Sequence, residues 1–178
     1  MGLISNGTTI FDNGSMASGF GGNLNFISKS TASASASIEF TSGIDSTYKE
    51  YVFYFTDIHP SVDSAHFSFH GSTNGGTSYS LNHVSTAFRA IQQESGSSPS
   101  LQYHADDGGT AQFGLHNEDR FNIIASYVGS DNDQICAGYM HLFNPSSTTF
   151  VKHWTSHFSI SNSNNFVARD RLDEVCII

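Results

Sequence analysis

Lysine and arginine are scarce: seven residues in 178, against 16 aspartates and glutamates, for a formal net charge of −9. So few cations leave no basic patch to neutralise phosphates, which argues against a nucleic-acid partner. An anionic membrane surface would repel such a chain. Cysteine is scarcer still, with Cys136 and Cys176 alone. Two thiols in apolar segments, outside any C-x-x-C pair, exclude a disulfide-built secreted scaffold and read as buried free thiols. No stretch approaches the roughly 18 consecutive apolar residues of a membrane-spanning helix. The opening MGLISNGTTIF has no early cation and no apolar run, so no signal peptide is expected. Asn6 stands where a myristoylation pattern wants Ser or Thr. Asn6-Gly7-Thr8 and Asn13-Gly14-Ser15 match the glycosylation sequon, which means little without a secretory signal.

What fills the space is polar but uncharged. Charged residues are 13% of the chain, about half the usual share, while aromatics reach 13% with 15 phenylalanines. Such a protein solvates itself with hydroxyls and amides and packs its interior with rings, as all-β domains often do.

Two textures divide the chain. Residues 1–36 are small and polar, with isolated Ile10, Phe11, Phe20, Leu24 and Phe26 and no sustained period of 2 or 3.6. This segment is expected to be an extended Gly/Ser/Asn-rich arm, its five apolar residues serving as anchors on another subunit. From Ser37 onward short strand patterns dominate. SIEFT alternates. YKEYVFYFT is apolar on both faces in its second half, as a central strand covered on both sides would be. AHFSFHGS sets Phe67 and Phe69 against His66, Ser68 and His70. RFNIIASYV reads as a buried strand. QICAGYMHLF alternates Cys136, Met140 and Leu142 against Ile135, Tyr139, His141 and Phe143. FVKHWTSHFSI places Phe150, Trp154, Phe158 and Ile160 on one side, with His153 and His157 on the other. DEVCII is a last strand. STNGGTS, GSDND, NPSS and SNSNN have turn chemistry. One helix is predicted, HVSTAFRAIQQE over His83 to Glu94, from the spacing of Val84, Phe88 and Ile91. The fold class expected is all-β: an antiparallel, jelly-roll-like β-sandwich over residues 37–178, preceded by the arm.

Little in the chain looks catalytic. There is no G-x-S-x-G elbow and no phosphate-binding glycine loop before a helix. Cys136 sits in a core-facing alternation, the wrong setting for a reactive thiolate. Nine histidines invite a metal reading. On a strand, however, His66 and His70, or His153 and His157, lie about 13 Å apart. No H-x-H occurs, and a cross-strand pairing such as His66 with His153 is not visible in sequence. Asp106-Asp107 and Asp131-Asn132-Asp133 are oxygen-rich turns without a completed calcium loop. The expectation is therefore a non-enzyme with no catalytic residues, no metal and no cofactor. Tyr79 and Tyr103, in loop-rich regions, are the candidates for a ligand-facing surface. Trp154, on an alternating strand, is expected in the core.

The runs SIEFTSGIDSTYKEYVFYFTDIHP, STNGGTSY and YMHLFNPSSTTFVKHW resemble β-rich virion structural proteins of tailed bacteriophages of marine bacteria, including cyanophages. The resemblance covers Ser37 to Ile178 and carries no catalytic motif. It implies a capsid decoration or tail-fibre component assembled in the host cytoplasm, whose arm docks on other virion proteins. A homo-oligomer follows, with a trimer favoured; the alternative is a host-adhesion module that binds a surface glycan. Chains of this kind continue past DEVCII by a strand or two. The stop at Ile177-Ile178 implies either an incomplete sequence or an edge covered by a neighbouring subunit.

Overall fold

A computed structural model of the chain describes residues 3–5, 8–12, 15–16, 24–79, 81–97, 99–103, 114–116, 122–162 and 166–176; strand residues 3–5, 8–12, 15–16, 85–86, 103, 114–116, 122–123, 166 and 168–176 are described by their backbone. The chain divides into two units, Met1–Ile38 and Glu39–Ile178. In the first, β1 (Leu3–Ser5), β2 (Thr8–Asp12) and β3 (Ser15–Met16) form a small antiparallel sheet. From Leu24 to Ile38 no strand forms.

The second unit is all-β and antiparallel, with no helix among the described residues. Its strands are β4 (Glu50–Ile58), β5 (Ala65–Phe69), β6 (His83–Gln93), β7 (Ser100–Tyr103), β8 (Gly114–His116), β9 (Asn122–Val128), β10 (Cys136–Phe143), β11 (Lys152–Ser161) and β12 (Phe166–Cys176). Seven of them form one open sheet in the order β4-β10-β11-β12-β6-β7, with β8 pairing β6 beside β7; β5 and β9 form a second sheet. The sheet does not close into a barrel, since β4 stands at one edge and β7 and β8 share the other.

Four expectations are corrected. HVSTAFRAIQQE is not a helix but β6, paired over its whole length with β12 and on its far side with β7 and β8. Its helical spacing was a weak local preference, overridden by two flanking ladders and by a β-branched and aromatic content that suits a strand. SIEFT forms no strand; Phe40 instead packs edge-on against Phe53 at 5.8 Å. YVFYFT is an edge strand, not a central one: β4 pairs β10 alone, and Tyr54 is 66% exposed. Phe150 likewise lies in the open at 69% exposure, before β11 begins.

Elsewhere the alternation holds. Along β11, Trp154, Ser156, Phe158 and Ile160 are buried, while His153 and Ser159 face out. Cys136, Met140 and Leu142 are buried on β10, and Ile124, Ala125, Ser126 and Val128 on β9. The small sheet lays Phe67, Phe69, Ala125 and Val128 on this inner face, against Phe55, Phe158 and Ile160. A bridge between Val128 and Asn162, and a 3.2 Å bond from Gly129 N–H to the Ser161 carbonyl, tie it to the end of β11. A bulge in β4 sets its phase. Asp57 takes a left-handed φ of 53°, and Thr56 and Asp57 together oppose Ala137. Phe55 and Ile58, three residues apart, thereby both reach the core.

Gly138 explains how the rings meet. It pairs Phe55 on one side and Phe158 on the other, and those two rings sit 5.4 Å apart. A Cβ at Gly138 would stand 2.2 Å from the His157 carbonyl oxygen and 2.7 Å from the Phe158 ring. Gly138→Ala is expected to destabilise the fold by about 1–3 kcal/mol through overpacking. Phe55→Ala should cost about 3–5 kcal/mol through the cavity it leaves. Urea unfolding followed by tryptophan fluorescence measures both; near-wild-type midpoints for the pair would refute this packing.

Candidate functional site

The solvent face of the seven-stranded sheet carries more functional chemistry than any described loop. Directly opposed residues of antiparallel strands share a face. The registers align Tyr54, Tyr139, His157, Arg171, Phe88 and Tyr103 in one row across β4, β10, β11, β12, β6 and β7. Six strands at about 4.8 Å spacing make this row roughly 24 Å long. The period-2 pattern creates it: each strand that buries one set of rings must turn the alternate set outward.

At the β4–β11 end the side chains interlock. The Tyr139 and His157 rings lie 5.4 Å apart with planes 5° from parallel. His141 meets Tyr139 edge-on at 5.4 Å and stacks on Phe143 at 6.0 Å. His141 Nδ1 pairs with Glu50 Oε1. Tyr54, Tyr139, Phe143 and Phe88 are all exposed. Further along, Arg171 takes the register position between His157 and Phe88, and Arg169 that between Ser159 and Ala90. Two of the seven cations of an acidic chain thus belong to this face. Ring faces here can stack on the C–H face of a sugar or on an apolar partner, while imidazole, phenol and carboxylate supply directional hydrogen bonds.

The residues singled out by sequence fall in several places. Tyr103 ends the row, opposite Phe88. Tyr79 lies elsewhere, its ring 6.4 Å from that of His70, which in turn is 5.9 Å from His83. Partial burial, the nearby Glu39 carboxylate and a hydrogen bond to it hold the Tyr79 phenol above its ordinary range. Burial lowers the His70 imidazole below its usual value, against a bond to the Gly71 carbonyl that raises it. The two tyrosines do not converge: His83 and Phe88 are five residues, about 17 Å, apart on β6. Of the arm residues, Ile10 and Phe11 lie in β2, Phe20 lies outside the described residues, and Leu24 and Phe26 are 61% and 83% exposed. Trp154 is in the core at 2% exposure.

His66 packs against Tyr127 on the small sheet at 4.8 Å, whereas His153 is on the solvent face of β11, so the two do not meet. Asp131-Asn132-Asp133 is a turn, closed by a 2.9 Å bond from Gln134 N–H to the Asp131 carbonyl; Asp106 and Asp107 lie outside the described residues. Among the described residues no group of three or more His, Cys, Asp or Glu side chains stands ready to hold a metal. An open hollow of about 630 Å³ beside the β6–β7 hairpin, lined by Ile91, Gln93, Pro99, Leu101 and Val167 among others, presents no titratable group. Cys136 is a buried thiol. It opposes Ile160 on β11, and Cys176 opposes Lys152 on the same strand. Eight residues along β11, about 26 Å, separate those positions, which excludes a bridge between the two cysteines within one chain.

Sequence reasoning set His157 on the outer face but missed Tyr54, Tyr139 and Phe143 as a surface with it. The signal was the apolar character of both faces of YVFYFT, read as burial on two sides, beside the Tyr/His alternate set of β10. Comparison with protein-family models, with curated proteins and with solved structures gives no match.

If the row serves a partner and not the fold, removing its outer ring is cheap. Tyr54→Ala is expected to change unfolding free energy by less than about 1 kcal/mol, far below the effect of Phe55→Ala next to it. Equal losses for the two variants in chemical denaturation would place Tyr54 in the core and remove it from the surface.

Proposed function

We propose that the protein is a non-enzymatic structural component of a bacteriophage virion, displayed on the particle as a capsid decoration or tail-fibre protein. On this reading the two packed sheets are a jelly-roll-like β-sandwich, and the N-terminal unit is the arm that docks on neighbouring virion proteins. The observation that carries the reading is the division of labour between sheet faces. One face is closed by the small sheet, and the other is a flat row of rings suited to a neighbouring subunit or a ligand. The resemblance of Ser37 to Ile178 to phage virion proteins supports the setting, and the exposed Leu24 and Phe26 support docking through the arm. Deletion of residues 1–30 is expected to leave the sandwich folded by circular dichroism while abolishing incorporation into particles. Normal incorporation of the truncated chain would defeat the docking role.

A second reading, a glycan-binding host-adhesion module, is favoured by one specific observation: exposed Tyr54 and Tyr139 align side by side with half-buried His157, and Arg171 is next in register. Reproducible glycan-array binding, reduced at least tenfold by Tyr139→Ala, supports adhesion. Binding that survives Tyr54→Ala combined with Tyr139→Ala, or its absence for the wild type, rejects it.

A further inference from the structure

The two edges of the large sheet are built differently. One edge is divided between β7 and β8, of four and three residues, and edge strands so short offer little to pair with. The other edge is β4, nine residues long, with no proline, lysine or arginine among them. Its register shift falls near its far end, where Asp57 takes the left-handed φ of 53°. The residues before that point, Glu50 to Thr56, hold no left-handed φ and form a regular edge. Long, regular edges without such protection are templates for another strand.

The backbone of β4 shows which groups await a partner. The Lys49 carbonyl accepts a 2.6 Å bond from the Asn144 N–H, one step before the Glu50–Phe143 pair. Along an antiparallel ladder the bonding direction alternates from residue to residue. Tyr51, Phe53 and Phe55 therefore bond to β10, while Glu50, Val52, Tyr54 and Thr56 turn N–H and C=O to the open edge. Among the described residues, none hydrogen-bonds to these four backbones. The side chains tell the same story. Phe53 and Phe55 face inward and pack on Phe69 and Phe67, with centroids 6.4 and 5.2 Å apart, yet both are only half-buried on a strand with one neighbour.

We propose that β4 pairs antiparallel with β4 of a second copy about a two-fold axis, joining two large sheets into one. Such an isologous contact uses the same patch twice, so the patch must complement itself. Opposed residues share a face, which restricts the register to pairs whose position numbers have an even sum. Pairing Glu50 to Thr56 in full puts Phe53 on the axis. Phe53 then faces Phe53 of the second copy, Tyr51 faces Phe55, Val52 faces Tyr54 and Glu50 faces Thr56. All four residues that turn their backbone outward meet others that do the same, for about eight hydrogen bonds. Lys49 comes beside the Asp57 end of the other strand, so opposite charges meet at both ends and no like charges oppose. The neighbouring permitted registers are poorer. Setting Glu50 against Tyr54 confines the ladder to Glu50–Tyr54, and setting it against Ile58 runs the ladder through the left-handed turn at Asp57. The contact follows from strand geometry and stands whether or not the chain is a virion component.

Sedimentation equilibrium of the full-length chain tests this. The expected result is a monomer–dimer equilibrium with a dissociation constant below about 10⁻⁵ M. Val52→Pro removes an N–H that points to the open edge and no bond to β10, a position where a strand tolerates proline. It should weaken the dimer at least about 100-fold while circular dichroism retains the β spectrum. If Val52→Pro fails to fold, Val52→Lys carries the test with the same expected weakening, because it sets two like charges diagonally across the axis. The exposed pair Glu50→Cys with Thr56→Cys reads the register. Mild oxidation should crosslink this double variant into dimers, since opposed Cα atoms about 5.5 Å apart suit a disulfide. Wild type and each single variant should crosslink far less, because like positions lie about 20 Å apart across the axis. A wild-type chain still monomeric at about 10⁻⁴ M, a trimer, or a dimer that survives the Val52 variant overturns the proposal. Crosslinking no greater in the double variant than in the singles does so as well.

Discussion

Three phenylalanine rings hold the second unit together: Phe55 from β4, Phe67 from β5 and Phe158 from β11. Their centroids lie 5.2, 5.4 and 5.9 Å apart, and they bring both sheets to one point above Gly138. Each ring can remove on the order of 150–250 Å² from water, and the edge-on and tilted geometries suit the ring quadrupoles. The rest of the architecture is arranged around this contact. The bulge at Asp57 keeps Phe55 and Ile58 in phase with it, and the missing side chain at Gly138 lets rings from strands two apart touch over β10.

Burying one set of rings forces the other set outward, and the two faces acquire different chemistry. Inside are Cys136, Met140, Leu142, Trp154, Phe158 and Ile160. Outside are Tyr54, Tyr139, His141, Phe143 and His157, interleaved with Glu50 and the register positions of the two arginines. An exposed ring is easily taken for a core ring, because both satisfy the same local preference for a pleated surface. What separates them is whether another layer stands over that face. The small sheet has two strands and the large one seven, and the rings of the small sheet pack on the inner face alone.

The polar residues at the His70–His83 end show the cost of leaving apolar packing. Burying an imidazole disfavours its charged form, as the lowered His70 value reflects. Carbonyl contacts to Nδ1 compensate in part.

The amino-acid sequence by itself determined which residues alternate, and hence the burial of Trp154, Phe158, Met140 and Ile124, the all-β class, and turns such as Asn74-Gly75-Gly76, where both glycines have positive φ. These properties are local: a period of 2 and a turn preference are contained within a few neighbouring residues. Tertiary structure alone decided that His83 to Gln93 is a strand, that β4 is an edge, and which side chains become neighbours. Tyr54 is paired with Tyr139 across 85 positions, and the backbone of His83 with that of Cys176 across 93. Such neighbours are fixed by strand order and register, which long-range backbone pairing and bulges set. No short window of sequence contains them, so the ring row emerges only when the sheet is assembled.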